Sequence, residues 1–114
     1  MASLREFHKE YATLKVMRLI SKNPKLSSRQ IAEKVGVSNG SAYYILTALV
    51  EKGFVKLDNF RNNPHKRQYS YLLTPKGIRE KYSLTSRFIK RKREEFEKLR
   101  DEILELENEE KKQL

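Results

Sequence analysis

Cysteine is absent from the 114 residues. That rules out disulfides, thiolate metal sites and thiol redox sensing, and it fits a reducing cytoplasm. Histidine is scarce at two residues, which leaves little for metal or general-base chemistry. There is no run of about eighteen apolar residues of the kind that crosses a membrane. Met1 to Glu6 lack the apolar middle of a signal peptide. No nucleophile–base pair, phosphate-cradling glycine loop or metal-ligand cluster is visible, so neither an enzyme nor a cofactor is expected. The expected setting is cytoplasmic and nucleoid-associated, with no membrane partner.

Charge is plentiful, and it is unevenly placed. Residues 1–93 carry 21 Lys/Arg and 6 Asp/Glu, net +15, whereas residues 94–114 carry 4 and 9, net −5. A body this basic predicts a polyanionic partner, because neutralising phosphates releases counterions from nucleic acid. A length of 114 residues has room for one compact domain and an extension.

Leu4, Phe7, Tyr11, Leu14, Met17 and Ile20 recur every three or four residues, the stripe of a first helix that Asn23-Pro24 ends. Ser27 and Gln30 have capping-box spacing for a short second helix, with Ile31, Ala32 and Val35 on its buried side and Gly36 as its stop. Ser38 suits the N-cap of a third helix whose apolar positions are Ala42, Ile45, Leu46, Leu49 and Val50, closed by Gly53. Two β-rich runs follow, 54–57 and 69–73, around the basic stretch 58–68, and they read as an antiparallel hairpin with a charged tip. Thr74-Pro75 then supplies an N-cap and an N1 proline for a last helix running to about Glu110. Gly77 and residues 83–86 are its weak points. If continuous, it spans roughly 50 Å at about 1.5 Å per residue, so part of it should project.

Ala32, Gly36, Ala42 and Ile45 have the offsets of a helix-turn-helix: a small residue at the helix crossing, a glycine in the turn, and two apolar residues seating the second helix. A hairpin directly after it is the order of a winged helix. The fold class expected is mainly α with a small β-hairpin, a winged helix-turn-helix over 1–77 followed by a long C-terminal helix over 78–114. The partner expected is double-stranded DNA, with the third helix in the major groove. Its candidate contacts are Ser38, Asn39, Ser41, Tyr43, Tyr44 and Thr47, where asparagine can pair with adenine and the hydroxyls can bond bases or phosphates. Gly40 would let the backbone approach closely. Tyr43 and Tyr44 lie 100° apart on a helix, so one of them is expected to be partly core. The third helix has no lysine or arginine before Lys52. Affinity should therefore come largely from elsewhere, with Arg29 beside the second helix and Arg61, Lys66 and Arg67 in the wing as candidates. His65 is read as a surface residue.

In the last helix Tyr82, Ile89, Phe96 and Ile103 recur every seven residues, and Ile78, Leu99 and Leu106 do so with Thr85 and Lys92 between them. That is an a/d seam. Ile78 and Tyr82 are expected to pack on their own domain. Phe88, Ile89, Phe96, Leu99, Ile103 and Leu106 are expected to meet a second copy, forming a homodimer through a coiled coil, because an exposed seam is a liability. Lys90–Arg93 either help hold DNA phosphates or pair with Glu94, Glu95 and Glu97, and the pairing is the favoured reading. A two-fold dimer would meet half-sites about 10 bp apart or a multiple of that. The competing reading is a winged helix used as a protein-interaction module, without specific DNA binding.

Residues 26–32 (LSSRQIA), 35–38 (VGVS) and 48–55 (ALVEKGFV) resemble the MarR-type regulators. Asn59-Phe60, residues 71–78 (YLLTPKGI), Leu84-Thr85 and residues 88–92 (FIKRK) further resemble a small subgroup associated with exopolysaccharide gene clusters. The resemblance covers roughly residues 10 to 107 and implies a prokaryotic DNA-binding transcription regulator acting on surface-polysaccharide genes. The chain departs from the larger pattern by lacking its longer helical dimerisation region on both sides of the winged core. On that ground no small-molecule effector site is expected.

Overall fold

The computed structural model describes residues 4–59 and 69–113. In chain order the elements are α1 (Leu4–Lys22), α2 (Ser28–Val35), α3 (Asn39–Glu51), β1 (Val55–Asn59), β2 (Tyr69–Leu73) and α4 (Pro75–Gln113). Among the described residues, four helices and a two-stranded antiparallel hairpin in this order form a winged helix-turn-helix followed by a long C-terminal helix. By internal packing the chain divides into Met1–Leu84 and Thr85–Leu114.

Local chemistry sets the element boundaries. The Ser27 hydroxyl accepts from the Gln30 backbone N–H at 3.1 Å while the Gln30 side chain accepts from the Ser27 N–H at 2.9 Å, closing the capping box of α2. Gly36 ends α2 at φ 82°, a left-handed conformation that any side chain would strain. Its N–H and that of Val37 both reach the Ala32 carbonyl. Ser38 caps α3, its hydroxyl accepting from the Ser41 N–H at 3.0 Å. At the far end of α3 the Phe54 N–H returns to the Leu49 carbonyl at 2.9 Å, which turns the chain into β1.

The first unit is built around α1, which lies against α2, α3 and β2. Phe7, Leu14, Met17 and Ile20 are buried as the periodicity predicts, and Tyr11 is half-buried. Val16, off the expected stripe, is buried as completely as Met17, because neighbours on several sides widen the covered arc. Leu26, Ile31, Ala32, Val35, Ala42, Ile45, Leu46, Leu49, Val55 and Leu84 complete the core. Each large side chain buried this way contributes about 1.5–3 kcal/mol, more than the ~1 kcal/mol of a helix cap. Val50 departs from expectation. It is 38% exposed, being one residue past Leu49 and so turned about 100° away from the core side of α3.

In the hairpin Val55 pairs with Leu73 and Leu57 with Tyr71. Tyr71 also donates its N–H to the Pro24 carbonyl at 3.1 Å, so the turn after α1 supplies a partner at the outer edge of β2.

Helix α4 begins as expected at Thr74-Pro75. The Thr74 hydroxyl accepts from the Gly77 N–H at 3.0 Å and donates to the Gly53 carbonyl at 2.6 Å, and the Thr74 N–H reaches the Phe54 carbonyl at 3.0 Å. Lys76 adds a bond to the Lys52 carbonyl at 3.1 Å, with its ammonium 5.1 Å from the Phe54 ring centroid. Gly77 is not a weak point. A Cβ there would overlap the Phe54 carbonyl, so the missing side chain is what admits that backbone. The helix runs unbroken through residues 83–86 to Gln113.

In the part of α4 that belongs to the first unit the buried positions are Gly77 and Leu84, a different side from the heptad seam. One expectation changes accordingly. Ile78 and Tyr82 are 58% and 76% exposed rather than packed on their own domain. Phe88, the other residue expected at the seam, is 6% exposed within this chain. Within Thr85–Leu114 the seam positions Ile89, Phe96, Leu99, Ile103 and Leu106 are all about half or more exposed. Of the Lys90–Arg93 run, Lys92 pairs with Glu95 at 3.5 Å across one helical turn, an exposed contact of small stabilising effect.

Candidate nucleic-acid interface

The first half of α3 presents a polar and aromatic surface on a rigid base. Asn39, Gly40, Ser41, Tyr43 and Tyr44 are exposed while Ala42, Ile45 and Leu46 anchor the other side in the core. Tyr43 is 66% and Tyr44 62% exposed, which corrects the expectation that one of them is partly core. The core side of the helix is filled by Ala42 and Ile45, and both rings are left outside. Thr47, one turn beyond Tyr43, is half-buried.

The two serines of this surface bond to each other. Ser38 Oγ accepts from the Ser41 N–H and donates to Ser41 Oγ at 2.9 Å. Ser38 is thus occupied as the helix cap, and Ser41 keeps lone-pair capacity at an exposed position. Gly40 has only the Ser38 hydroxyl within reach of an added Cβ, at 4.0 Å. Nothing in the fold requires glycine there, and its flatness faces solvent.

Arg29 is exposed in the first turn of α2. Arg61, Lys66 and Arg67, together with His65, lie outside the described residues. Sequence reasoning did not single out the first helix, which lies beside this surface. His8, Lys9 and Ala12 of α1 join Val37, Gly40, Ser41, Tyr44 and Ile45 around a concavity of about 420 Å3. The Lys9 ammonium stands 5.5 Å from the centroid of the Tyr44 ring, within the range of a cation–π contact. The available signal was the lack of cations on α3. It implied that another element must supply them, without saying which.

Among the described residues, no group of three or more His, Asp or Glu could hold a metal ion. No described helix is long and apolar enough to cross a membrane.

A family model described as winged helix-turn-helix DNA-binding matches residues 10–56, which is less than half of the chain. No curated protein matches. Among solved structures the chain is similar to the PcaV transcriptional regulator from Streptomyces coelicolor in complex with its natural ligand, at 20% identity and TM-score 0.60, covering 68% of this chain and 54% of that one. It is similar to a mutant of MepR from S. aureus at 17% identity and TM-score 0.63, covering 90% and 81%. A mutant MarR from E. coli complexed with operator DNA matches at 24% identity and TM-score 0.55, covering 66% and 52%. The chain thus spans little more than half the length of PcaV. The expectation that no small-molecule effector acts here finds no support, since PcaV has this fold and binds a ligand. What PcaV, MepR and MarR share with this chain is the winged helix-turn-helix fold.

Proposed function

We propose that this chain is a MarR-type transcription regulator that binds double-stranded DNA in a sequence-specific way, as a homodimer. One observation carries the reading: the exposed surface of α3 holds Asn39, Ser41, Tyr43 and Tyr44 on a helix whose opposite side is locked in the core. Side chains on a rigid helix keep the geometry that base-edge recognition needs, and a major groove about 12 Å wide admits one helix. Asn39 offers an amide to adenine, and the tyrosines offer hydroxyls and flat faces. Gly40 leaves room for the sugar-phosphate chain. Arg29, Arg61, Lys66 and Arg67 bind phosphates, and the net +15 of residues 1–93 supplies the attraction. The MarR structure solved with operator DNA has the same fold, which supports this assignment.

Residues 1–77 read DNA and residues 78–114 pair two copies. The exposed seam Ile89, Phe96, Leu99, Ile103 and Leu106 supports the second role, because apolar side chains at a/d spacing are best removed from water by an identical helix. The segments YLLTPKGI and FIKRK favour the exopolysaccharide-associated subgroup, and hence surface-polysaccharide genes as targets.

Fluorescence anisotropy across a salt series tests the reading, comparing duplexes from the gene's own upstream region with random duplex. Binding of one duplex at least about a thousandfold tighter than random at physiological salt supports it. Equal binding to all duplexes removes the specificity. Absence of binding to any duplex replaces it with a protein-interaction module, for which the two exposed tyrosines would be the anchors.

A further inference from the structure

Helix α3 is unusual for a groove-reading helix in carrying no lysine or arginine between Asn39 and Glu51. A cation reaches its exposed surface from another element. Lys9, an exposed residue of α1, holds its ammonium 5.5 Å from the Tyr44 ring centroid and shares the rim of one concavity with Gly40 and Ser41. It therefore sits among the residues assigned to DNA contact, although it is more than thirty residues away from them in sequence. An ammonium over a ring face keeps donors free on its outer side, since lysine has three N–H bonds and the ring satisfies none of them conventionally.

We propose that Lys9 contacts the DNA backbone beside α3, held in place by the ring of Tyr44, so that the first helix supplies the positive charge the third helix lacks. This rests on the functional reading above. Lys9 takes a phosphate oxygen of the strand that borders the groove, and Tyr44 restrains a side chain that would otherwise lose rotamer freedom on binding. The contact adds affinity at every sequence and leaves base choice to Asn39 and its neighbours.

Anisotropy with full-length K9Q, K9R and Y44L, each against the preferred duplex and random duplex over a salt series, tests this. Loss of one phosphate contact should lower the log–log salt slope by about 0.9 per protomer. K9Q should show that drop with an unchanged ratio of preferred to random binding, and K9R should retain the wild-type slope. In Y44L, which removes the ring, K9Q should cost less than it does in the parent. An unchanged slope in K9Q, or an affinity loss of the same factor at every salt, overturns the proposal while wild-type discrimination leaves the functional reading standing. If the wild-type chain binds no duplex, the functional reading fails and takes this one with it.

Discussion

Single atoms decide several features of this chain. At Gly77 the missing Cβ is the space that the Phe54 carbonyl occupies. Gly77→Ala must therefore move backbone, and we expect about 1–3 kcal/mol of destabilisation despite alanine's better helix propensity, read as a lowered midpoint in urea. Gly40 is the opposite case. With open space around its missing Cβ, Gly40→Ala should raise stability by up to about 1 kcal/mol. If the flat surface there admits a DNA strand, the same substitution should weaken duplex binding. A variant that is both more stable and equally tight would remove Gly40 from the interface. Thr74→Ala deletes the α4 cap and leaves the Gly53 carbonyl without its hydroxyl donor. The expected cost is about 1–2 kcal/mol by thermal melting near neutral pH.

At the scale of elements, boundaries were legible because each is written in local chemistry. Ser27 with Gln30, Gly36, Ser38, and Thr74-Pro75 all sit where the helices start or stop. The helix-turn-helix followed by the hairpin could be read for the same reason. Burial was harder to read, since a periodic pattern places a stripe without giving its width or its neighbours. Val16 is covered because α1 is flanked by other elements, and Val50 is exposed because it is turned away from the core side that Leu49 occupies. On α4 the seven-residue repeat identifies the seam, yet it could not say that the first unit would bury Gly77 and Leu84 in place of Ile78 and Tyr82. The approach of Lys9 to Tyr44 is tertiary and has no sequence signature. Substituting Asn39→Ala is the element-scale test of groove reading. It should cost about 1–3 kcal/mol on the preferred duplex and little on random DNA, measured by anisotropy at one salt concentration.

At the scale of the whole molecule, charge and apolar surface are divided along the chain. Residues 1–93 hold the positive excess, while 94–114 are acidic and carry four of the exposed seam residues, Phe96, Leu99, Ile103 and Leu106. An acidic tail is a poor partner for a polyanion, which agrees with the pairing role proposed for it. Ile103→Asp puts a charge in the seam without touching the core, since Ile103 is exposed in the single chain. Sedimentation should then report a monomer that melts as a folded protein. A dimer of wild-type strength would remove the seam from the interface. The bolted junction between α3 and α4 has a mechanical consequence. Thr74 and Lys76 hold the Gly53 and Lys52 carbonyls, and the Phe54 backbone fills the notch at Gly77. Bonds on both sides of this joint resist bending between α3 and the first turn of α4, so a twist applied at the start of α4 would be passed on to α3. A reading helix coupled in this way would follow the first turns of its own α4 instead of swinging independently of them.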